Sequence, residues 1–190
     1  MPTGTELSFE LRRATREDGP ALIELIMALA QFEKLPGPNA DDQKRLIEDG
    51  FGARPRFEAW LAFSENEPKP VGYAVVLEMY STFRARPTLY LEDIFVQPEY
   101  RRRGIGSALL RQCIELAHDR GCARLVWTCL DWNKRAQDVY ERIGARRLSE
   151  WYLYHLTRDG MEKFLSAQGR LTVDASAPPA KAEASQEDCQ

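Results

Sequence analysis

The sequence predicts a single α/β domain in which a mixed β-sheet carries helices on both faces. Strand-like and helix-like segments alternate along the chain, which is typical of a sheet covered by helices. The chain has 190 residues, 44% hydrophobic and 29% charged, so it is long and apolar enough to bury one core. The folded domain is expected to span residues 7–165. From Asp174 onward there is no aromatic and no large aliphatic residue, so residues 166–190 are expected to form a flexible tail.

The first half of this domain begins with a strand followed by two helices. Apolar and polar residues alternate over residues 9–12, as in a half-buried strand. Thr15 and Asp18 form the pattern of a capping box before a helix. That helix is predicted from apolar residues at helical spacing, namely Leu22, Leu25, Ile26, Leu29 and Phe32. The Pro-Gly-Pro sequence at residues 36–38 ends it, and a second helix is predicted over residues 41–48.

The rest of the domain is predicted to contain five strands and two helices, with a helical turn at the end. The strands are expected at residues 57–63, 71–80, 89–96, 125–129 and 151–155, and the helices at residues 106–117 and 134–143. Gly121 and Gly144 supply the helix ends, and the last helical turn begins at Thr157. The predicted order is therefore β-α-α-β-β-β-α-β-α-β.

Composition argues against nucleic-acid-binding, membrane, secreted and zinc-binding proteins. The 26 basic and 29 acidic residues give a net charge of −3, without the basic excess of a typical nucleic-acid-binding domain. The longest apolar stretch, residues 21–30, is interrupted by Glu24 and is shorter than the roughly 20 residues of a membrane span. The first residues lack the pattern of a secretory signal. The cysteines at positions 113, 122, 129 and 189 form no C-x-x-C pair, so we expect a cytoplasmic protein with reduced thiols and no metal.

Residues 89–110 contain the pattern that points most directly to chemistry. A predicted strand carries Glu92 and Asp93, and adjacent strand residues point to opposite faces of a sheet. Three arginines at 101–103 follow, and then Gly104-Ile105-Gly106, where a helix begins. Glycines let backbone N–H groups approach a ligand and a helix N-terminus adds positive potential, so this loop is a predicted phosphate site. A dinucleotide fingerprint and a Walker A loop are both disfavoured, because Leu109 stands at the third glycine position and no lysine follows the glycines.

The sequence around this loop resembles the GCN5-related N-acetyltransferase (GNAT) superfamily. The Arg101-x-x-Gly104-x-Gly106 pattern after a strand is similar to the loop that binds the pyrophosphate of acetyl-CoA in that family. Its surroundings resemble the polyamine-type branch, the spermidine/spermine and thialysine acetyltransferases. The matching segments are LAQFEKL at 29–35, EDGFG at 48–52, VGYA at 71–74, LYLED at 89–93, IFVQPEYR at 94–101, LDWN at 130–133 and VYERIGA at 139–145. The resemblance spans about residues 11–148 and implies the GNAT fold, a mixed and mostly antiparallel sheet flanked by helices.

The resemblance implies a cofactor site where two parallel strands, residues 89–96 and 125–129, splay apart. Backbone groups of Phe95 and Val96 would bind the pantetheine arm and polarise the thioester carbonyl. The remaining expected cofactor contacts are Arg101, Arg103, the N–H groups of Gly104, Gly106 and Ser107, Asn133, and Tyr140. The implied co-substrate is acetyl-CoA, and no metal is expected.

The same resemblance implies two catalytic residues and three substrate contacts. Tyr140 matches the tyrosine that protonates the departing thiolate, a role open to a phenol of pKa about 10. Glu92 matches the residue that deprotonates the amine, through water, because an alkylamine with a pKa of about 10.4 is mostly protonated at pH 7. Glu33 and Asp93 match carboxylates that engage the other cationic nitrogens of a polyamine. Phe83 stands where the branch has an aromatic residue, often tryptophan.

The predicted function is transfer of an acetyl group from acetyl-CoA to a primary amine by direct attack in a ternary complex. The acceptor is expected to be a small cationic diamine, polyamine or thialysine-like molecule. Two alternatives stay open at this point: a protein N-terminal or lysine acetyltransferase, and a non-catalytic acyl-CoA-binding sensor. The charge distribution agrees with two opposed sites, because residues 1–96 carry a net −5 and residues 97–150 a net +4. A homodimer is expected, without nucleic-acid or membrane partners.

Overall fold

The computed structural model describes residues 9–65 and 67–168 of the chain. Its strands are β1 (Phe9–Arg13), β2 (Glu58–Ser64), β3 (Gly72–Ser81), β4 (Arg86–Val96) and β5 (Arg124–Val126). Its helices are α1 (Gly19–Glu33), α2 (Ala40–Phe51), α3 (Ile105–Asp119), α4 (Lys134–Arg142) and α5 (Arg158–Gln168). The described residues form two compact units that divide between Gln137 and Asp138. The predicted domain limits stay a prediction, since residues 7, 8 and 169–190 lie outside the described residues.

The first unit is built on a five-stranded sheet in the order β1-β2-β3-β4-β5. The first four strands are antiparallel neighbours, and β4 and β5 form the parallel pair, with Leu89 opposite Leu125. This confirms the predicted mixed and mostly antiparallel sheet. Strand β5 is shorter than the predicted residues 125–129, because its pairing with β4 ends at Val126.

Helices cover both faces of the sheet, as the alternation of elements predicts. On one face, Leu22 and Leu25 of α1 are 3% and 1% exposed and pack with Leu61, Tyr73 and other core residues. Burial of each leucine stabilises the fold by about 2 kcal/mol. Asp18 fixes the entry to α1, since its carboxylate accepts a hydrogen bond from the Thr15 backbone N–H at 2.8 Å. The predicted capping box is therefore confirmed.

Helix α3 packs on the other face, close to the strand backbone at Gly72. A Cβ atom at Gly72 would lie 3.5 Å from a methyl group of Leu109 and 2.9 Å from the carbonyl oxygen of Phe95. The second of these distances is too short for a real Cβ. Glycine at this position therefore permits the close approach of β3 and β4 where α3 crosses them.

The second unit contains the end of α4, a segment without regular secondary structure at residues 151–157, and α5. The prediction of a strand at residues 151–155 is wrong. Alternation there identifies side chains that suit a pleated surface, but a strand also needs a backbone partner. Within residues 9–65 and 67–168 this segment pairs with no strand, and Trp151 and Tyr154 are 74% and 90% exposed. Helix α5 runs to Gln168, so residues 166–168 of the predicted tail are helical.

The described part of the chain contains no helix long and apolar enough to cross a membrane. The same residues contain no group of three or more His, Cys, Asp and Glu side chains that could hold a metal ion. Among these residues, Cys113, Cys122 and Cys129 are free thiols.

Candidate functional site

Strand β4 is irregular at Glu92, close to the point where its pairing with β5 ends and the candidate site opens. The register runs from Val75 opposite Asp93 to Val76 opposite Leu91, so Glu92 is the extra residue of a β-bulge. On its other side, β4 pairs with β5 only as far as Tyr90 opposite Val126. Beyond Tyr90, β4 continues to Val96 without this neighbour. Residues 91–96 therefore offer backbone hydrogen-bonding groups toward a gap between two parallel strands.

The adjacent residues Glu92 and Asp93 differ sharply in how far their side chains are exposed. Glu92 is exposed at the gap, whereas Asp93 is mostly enclosed and lies on the face of the sheet occupied by Tyr73. The Tyr73 hydroxyl donates a hydrogen bond to Oδ2 of Asp93 at 3.2 Å. Burial, and then the neighbouring charge of Glu92, raise the pKa of Asp93 to about 6, while the Tyr73 hydrogen bond opposes the rise.

Glu33 belongs to the same group of carboxylates, although it comes from the end of α1. Burial raises its pKa, and its charge contributes to the raised pKa values of both Asp93 and Tyr73. Helix α1 ends immediately after it, at Lys34, whose φ is +60°. The structure thus brings together Glu33, Glu92 and Asp93, all of which the sequence assigns to the acceptor site.

The predicted phosphate loop connects β4 to α3 through a short 3₁₀ turn at Pro98–Tyr100. Gly104 has a φ of +87°, a left-handed conformation that favours glycine, and it forms the N-cap of α3. The first intrahelical bond reaches back from the Ala108 N–H to the Gly104 carbonyl at 2.9 Å. The N–H groups of Ile105, Gly106 and Ser107 belong to the first turn, where a helix supplies no carbonyl to accept them. This end of α3 can therefore bind an anionic group.

Arg101 and Arg103 occupy different environments in this loop. The Arg101 Nε donates a hydrogen bond to the Val96 carbonyl at 2.9 Å. Its guanidinium carbon lies 4.7 Å from the ring centroid of Phe32 and 5.5 Å from that of Phe95. The exposed Arg103 donates to the Glu99 carbonyl at 3.1 Å and lies over the ring of Tyr100. The cofactor contacts predicted for both arginines stay predictions.

Asn133 caps α4 and holds the loop that follows β5. Its side-chain Oδ1 accepts a hydrogen bond from the Ala136 N–H at 3.3 Å. Gln137 fastens the same loop, because its amide donates to the carbonyls of Leu130 and Asp131 at 2.9 and 3.0 Å. The predicted contact of Asn133 with the cofactor stays a prediction beside this observed capping role.

Phe83 lies away from the carboxylates. It sits at the tip of the hairpin between β3 and β4, where its side chain is fully exposed. The seven residue-to-residue steps from Arg86 to Asp93 span roughly 23 Å along β4, so Phe83 lies far from Glu33, Glu92 and Asp93. A separate surface cavity, lined among others by Arg13, Phe57 and Glu58, contains none of the predicted site residues.

Tyr140 lies in the part of α4 that belongs to the second unit. Its backbone carbonyl accepts a hydrogen bond from the Ala145 N–H at 3.0 Å, which closes the end of the helix. Its proposed role in catalysis stays a prediction.

Sequence reasoning missed two contributors to the site. Tyr73 is a fully buried core residue whose hydroxyl also donates a hydrogen bond to Asp93, a contact for which the sequence carried no prediction. Trp132, whose ring centroid lies 5.6 Å from that of Phe32, had no predicted role. For Trp132, the sequence did offer a signal, namely its position in the LDWN segment at residues 130–133. No pattern in the sequence distinguishes Tyr73 from an ordinary buried tyrosine.

Comparison with known proteins places this geometry among acetyltransferases. Residues 21–145 match the model of the Acetyltransferase (GNAT) family. The chain is 38% identical over 162 residues to the thialysine N-epsilon-acetyltransferase of Bos taurus, covering 80% of this chain and 95% of that protein. It is 28% identical to an L-ornithine N5-acetyltransferase of Arabidopsis thaliana, covering 85% of this chain and 90% of that one. A crystal structure of a probable acetyltransferase superposes with a TM-score of 0.68 at 25% identity, covering 78% of this chain and 97% of the other.

Proposed function

Because the chain belongs to the acetyltransferase (GNAT) family and is an acetyl-CoA-dependent N-acetyltransferase, we propose that its acceptor is a small cationic diamine, polyamine or thialysine-like amine. The observation that carries this proposal is the group of three carboxylates, Glu33, Glu92 and Asp93. Within residues 9–65 and 67–168, no Lys, Arg or His side chain forms an ion pair with any of them. An acceptor with two or more positive charges supplies the missing partners.

Acetyl-CoA fits the two halves of the proposed cofactor site. The diphosphate is bound by the N–H groups of Gly104, Gly106 and Ser107 at the start of α3, with Arg101, Arg103 and Asn133 nearby. Backbone groups of Phe95 and Val96, beside the gap between β4 and β5, bind the pantetheine arm and the thioester carbonyl. The local charge supports this assignment, since residues 97–150 carry 11 basic and 7 acidic side chains.

The proposed reaction is a direct attack within a ternary complex of enzyme, acetyl-CoA and amine. Glu92 accepts a proton from the ammonium group of the acceptor, through water, and leaves a neutral amine. The amine nitrogen then forms a bond with the thioester carbonyl carbon, and the carbon–sulfur bond breaks. Tyr140 donates a proton to the departing thiolate, so that CoA leaves as a thiol; the acylated nitrogen loses its second proton through water, which restores the Tyr140 hydroxyl. Asp93 and Glu33 bind the remaining positive charge and so orient the attacking nitrogen.

We also propose a cytoplasmic homodimer. The free thiols of Cys113, Cys122 and Cys129 support a reducing compartment. Met27 on α1 is 41% exposed, and residues 151–156 expose several large apolar side chains. Such surfaces favour association between copies of a chain. Light scattering on the purified protein measures the mass directly, and a monomer at all concentrations contradicts the dimer.

The proposed function is tested by measuring CoA release from acetyl-CoA with a panel of acceptors. The panel contains thialysine, lysine, ornithine, spermidine and a short peptide with a free N-terminus. We expect acetyl-dependent release with at least one of the small cationic amines at a kcat/KM well above that for the peptide. Release with the peptide alone contradicts the proposed acceptor class. Acetyl-CoA binding without release to any acceptor supports the sensor alternative.

A further inference from the structure

Arg101 makes three contacts that join separate elements of the first unit. Its Nε donates to the carbonyl of Val96, the last residue of β4, at 2.9 Å. Its guanidinium lies over the ring of Phe32, the penultimate residue of α1, and near the ring of Phe95. A hydrogen bond from a charged donor is stronger than one between neutral groups, and each cation–π contact adds an electrostatic attraction between the guanidinium and the ring. One side chain therefore connects the end of β4 to the end of α1.

These contacts restrain the part of β4 that is paired with a strand on one side only. Beyond Tyr90 the strand is no longer paired with β5. On the β3 side, the chain is held just past the strand end by the Gln97 N–H, which donates to the Val71 carbonyl at 2.9 Å. Arg101 thus supplies a side-chain restraint on the Val96 carbonyl, next to the backbone groups proposed to bind the thioester.

The second element that Arg101 contacts carries an acceptor-site residue. Phe32 immediately precedes Glu33, and its ring is also packed against Trp132 at a centroid distance of 5.6 Å. The guanidinium is partly buried in this position. This desolvation, together with the charge of Arg135, lowers the pKa of Arg101. Arg103, two residues later, lies exposed and contacts its own turn, at Glu99 and Tyr100.

We propose that Arg101 is a positioning residue that fixes the end of β4 and the end of α1 relative to each other. This role, which rests on the proposed function, differs from a direct contact with the diphosphate. Loss of Arg101 is therefore expected to lower kcat/KM for the acyl donor even when that donor carries no phosphate. Loss of Arg103 affects only donors that carry the diphosphate.

The test compares two acyl donors, acetyl-CoA and S-acetylpantetheine, which lacks the diphosphate and the nucleotide. The kcat/KM for each donor is measured for the wild type and for Arg101→Met, Arg101→Lys and Arg103→Met. We expect Arg101→Met to lower both values by a similar factor of about 10. Arg101→Lys keeps the charge but lacks the planar guanidinium, so we expect it to resemble Arg101→Met and not the wild type. Arg103→Met is expected to lower the acetyl-CoA value only.

A loss in Arg101→Met confined to acetyl-CoA overturns the proposal and indicates a phosphate contact. Recovery of wild-type values in Arg101→Lys overturns it as well, since charge alone would then suffice. Phe32→Leu provides a second variant that removes the aromatic face while keeping the apolar volume. Phe32→Leu is expected to lower kcat/KM for both donors, by a smaller factor than Arg101→Met does. If Phe32→Leu has the same kcat/KM values as the wild type, the coupling to α1 is contradicted.

Amide hydrogen exchange separates this proposal from the proposed function, because it requires no acceptor and no turnover. In Arg101→Met, exchange is expected to become faster by about 10-fold in a peptide covering residues 94–98. In Arg103→Met, exchange of that peptide is expected to equal that of the wild type. Unchanged exchange in Arg101→Met refutes the positioning role, whereas absence of turnover in the wild type refutes only the proposed function.

Discussion

Replacement of Asp93 by asparagine is expected to stabilise the folded chain and at the same time to weaken its function. The pKa of Asp93 is raised from 3.8 in a solvated chain to about 6 in the fold, mainly by burial. A raised pKa means that the ionised carboxylate is held in the fold at a cost in free energy. The difference of about two pKa units corresponds to about 3 kcal/mol. Under the proposed function, binding of a cationic acceptor to the ionised group offsets this cost.

The sign and the pH range of this effect follow from linkage. Well below pH 3.8 the carboxyl group is neutral in both the folded and the unfolded chain, so it imposes no penalty. Stability is then lost as the pH rises through about 6, and the loss of about 3 kcal/mol is complete near pH 8. About 2 kcal/mol of this loss develops between pH 4.5 and pH 8. Asparagine is neutral throughout and its side-chain oxygen still accepts the Tyr73 hydrogen bond.

Urea unfolding at pH 4.5 and pH 8 measures this difference. Asp93→Asn is expected to unfold at a higher urea concentration than the wild type at pH 8, and the gap is expected to shrink by about 2 kcal/mol at pH 4.5. Asp131→Asn, at an exposed position, is the matched control and is expected to change stability by less than about 0.5 kcal/mol. Destabilisation of Asp93→Asn at pH 8, or a difference that does not depend on pH, refutes the reasoning.

Three further predictions concern the reaction itself. Tyr140→Phe is expected to lower kcat roughly 100-fold and to change the acetyl-CoA dissociation constant by less than about 3-fold; an equal loss in both quantities removes the role of Tyr140 as the acid. Glu92→Gln is expected to lower kcat/KM for a diamine by roughly 100-fold at pH 7, with recovery at higher pH as the free amine forms, and a wild-type rate at pH 7 rejects Glu92 as the base. Tyr73→Phe removes the hydrogen bond that opposes the raised pKa of Asp93, so the acidic limb of kcat/KM against pH is expected to move up by about one unit. An acidic limb in the same place as in the wild type shows that ionisation of Asp93 does not control acceptor use.

The regular elements of the first unit were predictable because their signals are local. The capping box at Thr15, the apolar stripe of α1 and the glycine before α3 each specify a backbone conformation within a few residues. The parallel pair of β4 and β5 was instead expected from the resemblance to the GNAT family, and the structure shows that pair. Most helices and strands of the first unit were therefore accessible from the sequence, whereas the order of strands within the sheet was not predicted.

The shape of the site was less accessible, because it depends on pairing between distant residues. Alternation placed Glu92 and Asp93 on opposite faces of a regular strand, but it contained no sign of the bulge that exposes Glu92. The strand expected at residues 151–155 failed for the related reason that side-chain alternation does not specify a backbone partner. Similarly, Arg101 was assigned to a ligand from its motif, whereas its contacts with Val96 and Phe32 depend on where β4 and α1 end.

Acceptor binding by the carboxylates Glu33, Glu92 and Asp93 is the central claim, and one measurement tests it most directly. It is the ratio of kcat/KM for a dicationic diamine to kcat/KM for a monocationic amine of similar length, in the wild type and in the Asp93→Asn variant, at pH 8. We expect the wild type to prefer the dication, and we expect the preference to fall about 10-fold in the variant because one buried negative charge is lost. A wild type that uses both amines equally, or a variant that retains the full preference, contradicts the claim.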